Sequence, residues 1–389
     1  MLLNRKLTIA IVLGLFSLQT FAQDKPEVTV GGALRFNYNL SSWKDDHGVR
    51  GGDFGYDVFR VNSTVSYKDV KLNAEYRHYS TGFGGGMLKQ GWVGYDFNDA
   101  NNLQLGLTQV PFGITQYNSS NWFFSMAYYV GLEDDHDMGV KYTHSGERLE
   151  YALAFFKNAE DMTFGGDISD SRYSYDVSSI DVDGDGTPDL RNKETNQVNG
   201  KIAYKLGGES VQHKIGVSGQ YGGLYNMDTE TIGNHYAWAG HYELSAGNLS
   251  AKAQVAGYKY NNENAGAEPA EADGVVGMTA YGYPYLTAAE AMVYTVGLSY
   301  SVPVDWHPVS NLTFYNDFGL LSKAEETFED SYMNVAGVMV TAGSVYTYID
   351  FAAGKDHPWL GPNWTNGLGA GSPDASWEMR FNVNLGYYF

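Results

Sequence analysis

Hydrophobic and polar positions alternate with a period of two along much of this 389-residue chain, most plainly at its end. Trp377, Met379, Phe381, Val383, Leu385, Tyr387 and Phe389 share one parity, while Glu378, Arg380, Asn382, Asn384 and Gly386 share the other. A period of two sets these groups on opposite faces of a strand. Soluble strands show the same pattern but usually stop after about 5–6 residues. This run suits a membrane-crossing strand of about 9–11 residues with an extension. Near the start, Val28, Val30, Leu34, Phe36, Tyr38 and Leu40 face one way, and Thr29, Arg35, Asn37 and Asn39 the other. The next strand passes through Phe59, Val61, Val65 and Tyr67, turns at Lys68-Asp69 and returns through Val70, Leu72, Ala74 and Tyr76. Two alternating runs joined by a two-residue polar link form a hairpin.

Further strands are expected near 88–97, 102–114, 136–144, 148–157, 197–206, 211–221, 234–245, 249–260, 291–302, 310–320, 332–342 and 345–354. With those above, about sixteen result. Their connections alternate in length. Short links fall at 68–69, 98–101, 145–147, 207–210, 246–248, 303–308 and 342–344. Longer polar segments lie between them, at 41–55, 80–87, 115–135, 158–196, 222–233, 261–290, 321–331 and 355–375. A soluble sandwich has no reason to alternate so regularly. The pattern predicts an all-β fold: a transmembrane antiparallel β-barrel of about sixteen strands, with short periplasmic turns and long extracellular loops. Residues 23–389 then form one barrel domain, with no plug ahead of its first strand. The chain ends on Phe389, which resembles the terminal aromatic strand that barrel assembly machinery recognises in bacterial outer-membrane proteins.

The first 22 residues differ. Arg5 and Lys6 precede an apolar run, Leu7 to Leu18, and Thr20-Phe21-Ala22 is a small-x-small cleavage site, so residues 1–22 read as an export signal. The apolar run is too short to span a bilayer. No other stretch is apolar enough for a transmembrane helix, so any crossing is made by strands. A mean hydropathy of −0.34 does not argue against this, since alternation hides barrel strands from averages. The chain has 31 tyrosines for the membrane interfaces and no cysteine, so stability rests on barrel closure rather than disulfides. Its net charge is −20, which argues against nucleic acid as a partner.

If the apolar parity faces lipid, the other parity lines the lumen. Arg35, Arg60, Arg77 and Arg380 then share one wall across the barrel seam and are expected near mid-height, either paired with Glu75 and Glu378 or forming a positive surface that selects anions. Lys71, Lys89, Lys141, Lys201, Lys205, Lys214 and Lys252 join them on that parity; Glu75, Asp96, Glu150, Glu243, Asp317, Asp350 and Glu378 oppose them. The segment 115–135 follows Val110-Pro111-Phe112-Gly113-Ile114, where proline and glycine end the ladder. It carries Trp122, Phe123, Phe124, Tyr128 and Tyr129, then Glu133, Asp134 and Asp135. So many rings call for packing, either against the inner wall, where the loop narrows the channel and its acids face the arginines, or at a subunit contact. Asp181, Asp183, Asp185 and Asp189, with glycine at the sixth place, match the start of a calcium loop, although Asn192 stands where the bidentate glutamate belongs. A calcium ion there would be structural; no other cofactor is expected. Catalytic motifs such as HExxH, GxSxG and GxxxxGK[ST] are missing and the nine histidines are scattered, so no enzyme is expected.

The run Leu105-Gly106-Leu107-Thr108-Gln109-Val110-Pro111-Phe112-Gly113 is similar to one in the phosphate-selective porin O and P family, where a strand ends in a Pro-Phe-Gly turn. That resemblance implies an outer-membrane porin of a Gram-negative bacterium, a homotrimer and a passive channel with basic residues in its lumen. The strongly acidic balance departs from the dense arginines and lysines of phosphate-selective members. The expected partners are outer-membrane lipid, lipopolysaccharide and small hydrophilic solutes, with anions such as phosphate preferred. The alternatives are a sugar-type channel whose aromatics stack on neutral solutes, and a receptor or adhesin using loops 158–196 and 261–290.

Overall fold

A computed structural model describes residues 25–160, 172–181, 188–262 and 274–389. The expected export signal, residues 1–22, lies outside them. Nineteen strands follow in chain order: β1 (Glu27–Ser41), β2 (Asp53–Tyr67), β3 (Val70–His78), β4 (Gly86–Asn98), β5 (Asn101–Gln109), β6 (His136–Ser145), β7 (Leu149–Asn158), β8 (Asp176–Val177), β9 (Asn192–Gly207), β10 (Val211–Asn226), β11 (Ile232–Ala246), β12 (Leu249–Asn261), β13 (Val275–Ala280), β14 (Tyr283–Ala288), β15 (Glu290–Trp306), β16 (Val309–Lys323), β17 (Ser331–Ala342), β18 (Val345–Lys355) and β19 (Glu378–Tyr388). All but β8, β13 and β14 close into one sixteen-stranded antiparallel barrel, with β19 paired to β1. Short turns lie at one end with both ends of the barrel sequence, and long connections at the other. The run expected at 102–114 is shorter in the ladder: β5 ends at Gln109, and 110–114 turns inward.

The wall inverts the polarity of a soluble fold. In β19 the polar set points in, with Asn382 0% and Asn384 1% exposed, while the apolar set points out, with Met379 50%, Leu385 43% and Tyr387 51% exposed. An apolar outer band over a polar interior needs hydrocarbon as its solvent. Closure satisfies the backbone groups that an open edge would leave bare in lipid. The seam is tied at the terminal residue: Gly32 N–H donates to the Phe389 carbonyl at 2.8 Å, and Phe389 N–H returns to Gly32 at 3.1 Å.

The lumen is not an empty bore. β14, β13 and β8 form a separate antiparallel sheet inside the long-loop end, and every residue from Val275 to Ala280 is buried. β13 and β14 are joined by Tyr281-Gly282, both with positive φ (56° and 76°), the backbone of a tight two-residue hairpin. The expectation that 158–196 and 261–290 are outer polar loops is therefore corrected for their described parts: 172–181 and 274–288 pack inward. The reason is compositional, since Tyr173, Tyr175, Tyr281 and Tyr285 are rings that bury well once their hydroxyls find partners.

Candidate functional site

Two cavities flank the third long connection, residues 110–135, which crosses the lumen. Positive φ at Gly113 (52°) turns the chain off the wall. Gly113 N–H then donates to Ser218 Oγ on β10 at 2.9 Å, and Ile114 N–H to Gln254 Oε1 on β12 at 2.8 Å. Further on, Ser120 and Asn121 N–H donate to Asp317 Oδ2 on β16 at 2.9 and 3.1 Å. β16 stands eight places from β5 in a sixteen-stranded ring, so the loop is pinned to the opposite wall. Its returning half buries Phe123, Tyr128 and Tyr129 against Tyr175 and Tyr285 of the inner sheet region. Tyr285 Oη donates to the Tyr129 carbonyl at 2.6 Å. Of the two expected placements, the single chain shows the inner wall.

The outer cavity, about 340 Å³, lies between this loop and the long-loop ends of β1–β3. Arg35, Arg77 and Arg380 line it, facing Trp122, Phe124, Tyr79, Phe83 and Trp359. Arg60 is not part of the lining; it sits opposite Arg77 in the β2–β3 ladder, 3.9 Å from Glu75 and over the Tyr388 ring. The four expected arginines do share the seam wall, but not one level. Arg380 pairs with Ser41, six residues along β1 from Arg35, a step of roughly 20 Å. Their partners differ too. Arg35 meets Asp57 at 2.8 Å and Arg77 meets Glu75 at 2.6 Å. Among the described residues Arg380 has only neutral partners: Nε donates to Asn39 Oδ1 at 2.7 Å, Nη1 to the Trp359 carbonyl at 3.4 Å, and the guanidinium lies 5.3 Å from the Phe123 ring centre. Glu378, expected as a partner, instead accepts from the Ser42 hydroxyl.

The inner cavity, about 220 Å³, is lined by the short-turn ends of β6 and β7 and by Pro111 and Thr115 of the loop. Lys141 donates to the Gln109 carbonyl at 2.7 Å and Lys201 to Thr115 Oγ1 at 2.8 Å. Neither has a carboxylate partner among the described residues. Glu150, the acid in this lining, is met by Lys205 at 2.6 Å and Lys214 at 3.7 Å.

The loop acids do not face the arginines, contrary to expectation. Asp134 is taken by Lys89 (2.6 Å), Gln109 Nε2 (3.0 Å) and Tyr173 Oη (2.8 Å). Glu133 folds back onto its own loop, accepting Asn118 N–H at 3.0 Å and the Ser125 hydroxyl. Burial pushes its carboxyl up to about 7. Asp135 joins Asp137 and Asp176. The calcium motif cannot be placed as a unit: Asp183 and Asp185 lie outside the described residues, and the flanking Asp181 and Asp189 adjoin an antiparallel bridge between Ile180 and Leu190. Sequence reading missed the cavity's ring residues from the later connections, Tyr281 and Trp359. A signal existed: 275–288 is a short hairpin pattern around Tyr281-Gly282, hidden inside a segment assigned wholly to a loop.

A family model described as phosphate-selective porin O and P matches residues 57–285, more than half of the chain. No curated protein matches it in sequence. Among solved structures, the outer membrane channel DcaP of Acinetobacter baumannii is similar with TM-score 0.58 at 10% identity, over 96% of this chain and 100% of that one. An anion-selective porin from Comamonas acidovorans gives 0.57 at 12%, over 94% and 100%. The trimer form of OmpT, an outer membrane protein of Vibrio cholerae, gives 0.51 at 12%, over 94% and 100%. At these identities the likeness is one of fold.

Proposed function

Since the chain belongs to the phosphate-selective porin O and P family and is an outer-membrane porin, we propose that it passes small hydrophilic solutes down their gradients with a preference for anions. The observation that carries this is the charge balance of the two cavities. Their carboxylates, Asp53, Asp57 and Glu150, each have a cationic partner, whereas Arg380, Lys141 and Lys201 have neutral ones. Unneutralised cations before and behind a constriction raise the local anion concentration, and low-dielectric walls strengthen the field. Asp317 and Asp350 do not oppose this in the cavity linings, because Asp317 anchors the third loop and Asp350 accepts from Tyr315 and Asn382. Passage needs no chemical step. A homotrimer is part of this reading, supported by the family and by the trimer form of the Vibrio protein.

Reversal potential in a planar bilayer under a salt gradient tests the proposal. An anion bias is expected, reduced in Arg380→Ala and further in Lys141→Ala/Lys201→Ala; cation bias in the wild type would overturn it. A second reading is favoured by the rings of the outer cavity, Trp122, Phe124 and Trp359, which offer stacking faces to a neutral sugar. Liposome swelling in disaccharide faster than in a charged solute of equal size would select it.

A further inference from the structure

Where the third loop runs into β6, acids crowd together away from both cavities. Asp135 ends the loop, Asp137 is the second residue of β6 and Asp176 comes from β8; one oxygen of each lies within 4.8 Å of the others, and all three are buried. Glu160 and Glu194 adjoin them electrostatically. One guanidinium reaches this group among the described residues: Arg172, 3.2 Å from Asp176 and 3.8 Å from Glu160. The neighbouring stretches 161–171 and 182–187 contain no lysine or arginine.

A separate side chain points at the same place. Thr279 stands directly opposite Asp176 in the β13–β8 ladder, and therefore on the same face of that sheet. It is 1% exposed, and its hydroxyl has no hydrogen-bond partner among the described residues. Asp135 Oδ1 and Asp137 Oδ1 likewise lack one. Buried polar atoms rarely lack a partner, whether protein, ordered water or ion.

We propose that Asp135, Asp137 and Asp176, with the Thr279 hydroxyl as a further oxygen, bind one divalent cation of the calcium type. Hard carboxylate and hydroxyl oxygens suit calcium, whose ligands at about 2.3–2.6 Å stand up to about 5 Å apart across the ion; magnesium at about 2.0–2.1 Å needs a tighter set. The ion joins three parts of the fold: the exit of the constriction loop, the wall at β6 and the inner sheet at β8. It thereby fixes the floor on which the constriction rests. Its ligands are other residues than the calcium-like set Asp181, Asp183, Asp185 and Asp189, and it does not depend on the anion preference.

The test is equilibrium dialysis of the full-length, detergent-solubilised protein against radioactive calcium, paired with terbium luminescence excited through tyrosine. The wild type is expected to hold a calcium equivalent that Asp135→Asn/Asp137→Asn loses and Asp183→Asn/Asp185→Asn keeps. Terbium emission excited through Tyr173 and Tyr175 should vanish with the first pair alone. A wild type that binds no calcium, or a folded Asp135→Asn/Asp137→Asn protein with undiminished binding, overturns the proposal. Should that pair prevent assembly, Asp176→Asn lies off the barrel wall and is expected to weaken binding at least about tenfold. Unchanged affinity in that variant also overturns it.

Discussion

On β15 of the wall, Tyr294, Val296, Leu298 and Tyr300 face outward and are 38–57% exposed, while Val293, Thr295 and Gly297 on the other parity are buried. Inside the barrel, Tyr128, Tyr175 and Tyr285 are almost wholly enclosed, with Tyr175 at ring-centre distances of 5.3 Å from Tyr128 and 5.1 Å from Tyr285. The same residue types thus serve two solvents. The wall meets lipid with its apolar face and satisfies polar atoms through the closed ladder. The interior is a water-soluble kind of core: rings pack on rings, and their polar atoms pair locally, as Trp359 Nε1 does with Tyr175 Oη at 2.6 Å. The comparison teaches that the wall sets the fold and the interior sets the bore.

The sharpest way to break this division is Tyr175→Ala. Removing a buried ring should cost the interior about 3–5 kcal/mol. No ladder bond of the barrel involves it, so heat-modifiable mobility on gels should persist while single-channel conductance rises severalfold. Collapse of the barrel together with the interior would show that the two are one cooperative unit. The converse is Leu298→Arg, at the middle of β15 on the lipid face. A charge there should cost about 2–4 kcal/mol, read as a shift in denaturant-driven release from bilayers, with conductance unchanged in the molecules that insert.

The sequence revealed the two regions unequally, for a physical reason. A wall strand repeats every two residues, so β1 and β19 announced themselves, and the alternation of short and long connections gave strand number and direction. The interior has no repeat. Its partners are far apart in the chain, such as Gly113 with Ser218 or Trp359 with Tyr175, and no spacing rule links them. Parity placed Arg35, Arg77 and Arg380 in the lumen but could not say that Asp57 neutralises the first while Asn39 leaves the last charged. The crowded rings of 115–135 did signal packing, because exposed aromatics on that scale are costly. That signal did not extend to 274–288, where the tyrosines are spaced through a segment that reads as an ordinary loop.

A smaller effect probes the join between the regions. Ser218→Ala removes the wall acceptor for Gly113 N–H, a hydrogen bond of about 0.5–1.5 kcal/mol. The loop should stay inside, held by Gln254 and Asp317, but flicker more. Greater open-channel noise with unchanged mean conductance is the expected recording; a lower mean would indicate that the loop resettles across the bore.

The gentlest test uses protonation of the interior alone. Burial raises the Glu133 carboxyl to about 7, with Asp134 adding repulsion, although donors from Asn118 and Ser125 oppose the shift. A raised carboxyl means that the folded state holds a proton which the unfolded chain releases above its usual 4.5. The contribution is therefore full below about pH 4.5 and fades as pH rises through 7. Each pH unit between about 4.5 and 7 costs up to about 1.4 kcal/mol, so most of the contribution is gone by pH 7, and above it, where both states are ionised, the slope flattens. The third loop should accordingly become noisier between about pH 4.5 and 7, and Glu133→Gln should flatten that dependence while leaving the trace below about pH 4.5 nearly unchanged. Because Glu133 touches the loop and not the ladder, barrel stability should show no matching slope. An unaltered pH response in Glu133→Gln would move the titration elsewhere in the interior.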